Sequence, residues 1–131
     1  MGKLANRLFY DFELDKNGYD FMGYFFDDKK QLSYHHIIPR HYGGKTTYEN
    51  GSLLVRSTAH NYIHVIEALD YNLFIELSHE LKQEHLDGIT KEHLIAIRQM
   101  LELFESRHQG EYSKNGLLII KEDFVRRRIK L

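Results

Sequence analysis

Residues 33–44, SYHHIIPRHYGG, constrain the chain more than any other stretch. The segment QLSYHHII (31–38) reads as a β-strand. It stops at Pro39, the only proline in the chain, because proline cannot donate to a sheet ladder. RHYGGKTTYENG (40–51) carries glycines, threonines and Asn50 without an apolar helical stripe, and reads as a loop. SLLVR (52–56) is a second short strand. Ser57 is placed to cap a helix running through TAHNYIHVIEALD (58–70). The centre of the chain is therefore strand, loop, strand, helix.

Histidines concentrate in that unit. Five of the nine, His35, His36, His41, His60 and His64, lie between residues 35 and 64. His60 and His64 are four apart, so both imidazoles share one helical face. Two imidazoles rarely suffice for a metal ion, and the strand that packs on this helix offers a third in His35 or His36. Adjacent strand side chains point to opposite sides. One member of the pair therefore faces the helix and an ion, and the other is free to act as a base that titrates near neutrality. A zinc-protease helix is excluded, because His-Glu-x-x-His needs a glutamate where this chain has Asn61.

On either side the pattern changes. LFYDFELD and YDFMGYFF flank Asn17-Gly18, a hairpin signal that predicts two antiparallel strands over residues 8–27, with DDKK as the next turn. From Tyr71 onward the chain reads as helical. Phe74, Leu77 and Leu81 space one core face, Gly88 interrupts, and Thr90 caps a helix striped by Leu94, Ile97, Leu101 and Phe104. Gly110 and Asn115-Gly116 mark the end of that helix, and LLIIKEDFVRRRIKL fits a strand or a helix. His79, His85, His93 and His108 are expected at the surface or at helix ends.

The absence of cysteine excludes disulfides and thiolate zinc knuckles. The formal net charge of −1 leaves nucleic-acid binding to a local patch. Arg40 and Arg56 flank the histidines, and either a phosphate clamp or a surface position suits each of them. His41 falls in the loop, near solvent or against substrate. The basic run near the C-terminus, with Arg126, Arg127, Arg128 and Lys130, is a solvated end or a set of phosphate contacts. No signal-peptide run or membrane-length apolar segment is visible, so the expectation is a cytoplasmic protein without membrane contact.

HHIIPRHYGG, YENGSLLV and HNYIH together resemble the HNH nuclease motif of the ββα-metal fold, over roughly residues 33–67. The resemblance implies an α+β fold in a single domain, 1–131. A ββα-metal HNH core would occupy about 33–68, with the aromatic hairpin (about 8–27) before it and a helical region (about 71–131) after it. It implies a metal-dependent endonuclease that hydrolyses DNA phosphodiester bonds to 5′-phosphate and 3′-hydroxyl ends, with RNA also open as substrate. His35, His60 and His64 would be the metal ligands, His36 the general base, and Asn50 the residue that ties down the loop and orients His36. The layout is similar to the bacterial colicin nucleases, where three histidines hold one divalent ion; magnesium, manganese, zinc and nickel all remain open. The alternative is a nucleic-acid-binding module that keeps the metal but does not cleave.

Two departures from the family pattern stand out. The paired Cys-x-x-Cys zinc site of many members is missing, so other parts of the chain must brace the site. Asn50 and His60 are also one residue further apart than the pattern implies, and a bulge near Gly51 is expected to absorb the extra residue.

Overall fold

The computed structural model describes residues 2–108 and Arg128. Its elements are helices α1 (Lys3–Asp11) and α2 (Leu14–Asn17), strand β1 (Leu32–His36), strand β2 (Gly51–Val55), and helices α3 (Asn61–Leu69), α4 (Tyr71–Asp87) and α5 (Lys91–Arg107). This is an α+β chain with a two-stranded antiparallel sheet. Leu32 pairs with Val55, Tyr34 with Leu53, and His36 with Gly51. Among the described residues no helix is long and apolar enough to cross a membrane.

The expected hairpin over 8–27 is replaced by two helices. Ala5, Leu8, Phe9 and Phe12 stand at i, i+3, i+4 and i+7, and all four pack into or against the core, which is a helical stripe. Asn17-Gly18 ends α2 instead of turning a hairpin: Gly18 sits at φ +74° and its N–H donates to Leu14 O. Left-handed glycine serves both purposes, and here the flanking period is helical. Among the described residues, strand pairing in this region is reduced to two isolated bridges, Tyr19 with Phe25 and Tyr24 with Arg128. The turn between them is organised by Asp20, which is fully buried. One carboxylate oxygen accepts from the N–H groups of Met22 and Tyr24, and the other from Val55 N–H at 2.8 Å. Burial raises its pKa to about 6 against the pull of those hydrogen bonds.

The second half follows its apolar periods. Phe74, Leu77 and Leu81 of α4 and Leu94, Ile97, Leu101 and Phe104 of α5 are all buried, each contributing about 1.5–3 kcal/mol. Asp70 and Thr90 cap α4 and α5 through the N–H groups of Leu73 and His93. Helix α4 also holds the sheet. Lys82 Nζ donates to Glu49 O at 2.8 Å, and His85 Nε2 donates to Gly51 O at 2.6 Å, so His85 is a brace rather than a surface residue. These two bonds fall at the start of β2.

Three further expectations change. Ser57 does not cap a helix. It lies inside a π-helical turn, Arg56–His60, that leads directly into α3. That turn, not a bulge at Gly51, takes up the extra residue: the β1–β2 ladder runs unbroken from His36–Gly51 to Leu32–Val55, and a π turn holds one residue more per hydrogen-bonded ring than an α turn. Arg128 is not a solvated cation. It is buried, with Nε and a terminal nitrogen donating to Met22 O and the latter also to Leu94 O. The remaining tail cations, the helix-ending glycines at 110 and 116, and the element expected in LLIIKEDFV lie outside the described residues.

Candidate metal centre

Strand β1 separates its two histidines as alternation requires. Ser33 and His35 face α3, while Tyr34 and His36 face the loop, with the Tyr34 and His36 rings edge to face at 4.8 Å. His35 is 1% exposed, and neither of its ring nitrogens has a hydrogen-bond partner. A buried polar atom left unpaired costs about 1–3 kcal/mol. Its surroundings explain what the nitrogens face: the His60 and His64 rings lie 5.3 and 5.6 Å away, centroid to centroid. One nitrogen from each of the three residues lies within 4.8 Å of the other two.

The partners of the helical pair select the nitrogen that points inward. His60 Nδ1 lies 2.5 Å from Ser33 Oγ, and His64 Nδ1 lies 3.1 Å from Glu67 Oε1. If both Nδ1–H groups donate, each Nε2 keeps its lone pair for an ion. Burial, followed by the neighbouring imidazoles, holds His35 well below its ordinary pKa; the same causes with Arg56 bring His60 to about 4. Both are neutral at pH 7, the form that binds metal. Three imidazoles, one of them buried with nitrogens that have no partner among the described residues, suit a divalent ion of borderline softness and fit the metal the resemblance implies.

His36 lies on the other side of the strand, with Nε2 2.7 Å from Thr46 Oγ. Desolvation and then the Arg40 charge lower its pKa, which keeps the ring neutral. Asn50 is buried and fastens the loop. Its Oδ1 accepts from Ile38 N–H at 2.8 Å, and its Nδ2 donates to Ile38 O at 3.0 Å and Lys45 O at 2.9 Å. The glycine pair completes the turn: Gly43 sits at φ +88°, and a Cβ on Gly44 would lie 1.7 Å from Ile38 O. Asn50 thus holds the segment that carries Thr46, and reaches His36 only through it.

A cavity of about 320 Å³ opens over His35, His36, His60 and His64. Arg40, His41 and Glu67 also line it. Arg56 is placed differently: its guanidinium donates to Lys30 O and Leu32 O, pinning the start of β1. Ser33, Thr46 and Glu67 escaped the sequence reading because a hydroxyl or a helical carboxylate carries no signal of its own. Only the position of Glu67, three after His64, hinted at a partner.

Residues 23–57 match the family model for HNH endonucleases. The likeness is to an HNH segment. The match covers roughly a quarter of the chain and includes His35, His36 and Asn50, but ends before His60 and His64. At family level the HNH segment points to nuclease or nucleic-acid-binding function. No curated protein and no solved structure matches the chain.

Proposed function

We propose that the protein is a metal-dependent HNH endonuclease that hydrolyses phosphodiester bonds in DNA. One observation carries this reading: the unpaired His35 nitrogens face His60 and His64 at ligand-sharing distance, directly behind a neutral His36 on the opposite side of the same strand. A purely structural metal site has no use for that second imidazole.

His35, His60 and His64 would hold one divalent ion. When bound, the ion supplies Lewis-acid stabilisation of charge on the scissile phosphate and the leaving 3′ oxygen. The rest falls to the chain. His36, with Nε2–H donating to Thr46, takes a proton from the attacking water at Nδ1. Asn50 keeps the loop and Thr46 in register with β1. Arg40 and His41, on the cavity wall, bind phosphate oxygens and orient the backbone. Arg56 contributes indirectly, through the carbonyls it fixes.

The test is nicking of supercoiled plasmid across magnesium, manganese, zinc and nickel, with His36→Ala alongside and an RNA substrate in parallel. Wild type should nick DNA only with metal present. The variant should lose about 10²–10⁴-fold in rate while binding metal as wild type does. Metal binding without nicking by wild type under any of these conditions would favour the binding-only module.

A further inference from the structure

The helix that supplies two histidines supplies a third polar residue on the same face. Glu67 follows His64 by three positions and His60 by seven, so all three line one side of α3 and the cavity above it. We propose that Glu67 is the positioning residue of the metal centre, fixing the ring and tautomer of His64 and holding the His41 loop against α3. This rests on the metal-centre reading above.

The three histidines differ in what restrains them. His35 is immobilised by burial, and His60 by partial burial and Ser33. The His64 side chain is 55% exposed, and among the described residues Glu67 is its one hydrogen-bonding partner. Without that bond an exposed imidazole samples several rotamers and both tautomers. An ion would then have to order the ring on binding, which weakens affinity. Because a carboxylate only accepts, its contact with Nδ1 places the proton there and the lone pair on Nε2. Glu67 meets Nδ1 and leaves Nε2 as the nitrogen open to an ion, so it would support the ligand set from outside. Its other oxygen lies 3.8 Å from His41 Nε2. One carboxylate therefore ties a ligand on α3 to a loop residue on the cavity wall, and its side chain is drawn in to 19% exposure to do so.

Glu67→Gln and Glu67→Ala in the full chain test this, with His64→Ala as reference. Imidazole nitrogen NMR of the metal-free proteins reads the tautomer. Wild type and Glu67→Gln should show His64 protonated at Nδ1, since the amide oxygen still accepts, and Glu67→Ala should show a mixture. Calorimetric titration with Zn²⁺ should show affinity about 10–100-fold weaker in Glu67→Ala and less than tenfold weaker in Glu67→Gln. An unchanged tautomer, or affinity within twofold of wild type in Glu67→Ala while His64→Ala loses binding, overturns the positioning role alone. Loss of Zn²⁺ in both Glu67 variants to the level of His64→Ala also overturns it, making Glu67 a ligand. Failure of wild type to bind Zn²⁺ overturns the metal centre, and this inference with it.

Discussion

Replacing His35 by leucine should make the metal-free protein more stable while removing its metal response. His35 is 1% exposed, and both ring nitrogens lack partners, so the folded state carries two polar atoms stripped of water. At about 1–3 kcal/mol for each such atom, the penalty is about 2–6 kcal/mol. Leucine has a similar volume, sits on a strand against the same core, and brings no polar atom. Cavity and packing mismatch take back about 1–2 kcal/mol. The expected gain is therefore about 0–5 kcal/mol. Urea unfolding at pH 8 in the presence of a chelator measures it. Repeating the experiment with Zn²⁺ at 100 times its Kd should stabilise wild type by about 2.7 kcal/mol and leave the variant unmoved. If His35→Leu is less stable than wild type without metal, the ring is satisfied in a way the geometry does not contain. If both proteins respond equally to Zn²⁺, His35 is not a ligand.

Asn50→Ala removes three side-chain hydrogen bonds and leaves Ile38 N–H and Ile38 O without theirs, while Lys45 O keeps Thr47 N–H, a loss of about 2–4 kcal/mol, and it loosens the segment that holds Thr46 on His36. Denaturant midpoints and plasmid nicking should both fall, while Zn²⁺ affinity changes little. Glu84 is fully buried with both oxygens unpaired, and its pKa is pushed well above the ordinary value by desolvation and then by Asp20. A carboxyl with a raised folded pKa holds its proton in the folded state after the unfolded chain has lost it. Stability then falls as pH rises from about 4.5, with a limiting slope of about 1.4 kcal/mol per pH unit until the folded pKa is reached. Glu84→Met should therefore exceed wild type by its smallest margin near pH 4 and by a growing margin as pH rises above that, as thermal melts at each pH will show. A constant difference would mean Glu84 keeps its ordinary pKa.

The histidine geometry was legible because it depends on two fixed periods. Spacing of four puts His60 and His64 on one helical face, and alternation parts His35 from His36. The helix stripes beyond Tyr71 were legible for the same reason. Asn17-Gly18 misled because a left-handed glycine closes a helix as readily as a hairpin, and the stripe Ala5, Leu8, Phe9, Phe12 was the better guide. The π turn at Arg56–His60 was out of reach, since nothing in RSTAH distinguishes it from an α turn. Arg128 looked like a free cation because a run of arginines does not reveal which one finds buried carbonyls. Ser33 and Thr46 are chosen by three-dimensional proximity alone, and Glu67 showed only in its spacing of three from His64.

The bonds from Lys82 and His85 to the carbonyls of Glu49 and Gly51 bear on how portable the HNH-like unit is. Where a zinc knuckle clamps the motif, the clamp travels with the motif in a short stretch of chain. Here the clamp is α4, whose Lys82 and His85 lie 33 and 34 residues beyond the carbonyls they hold, and which is itself seated on α5. Excising residues 23–70 for transplantation into another scaffold would carry every candidate ligand and the base, yet leave the edge of β2 unsupported. A graft of this site must take α4 with it, and evolutionary shuffling of the short segment by itself would face the same barrier.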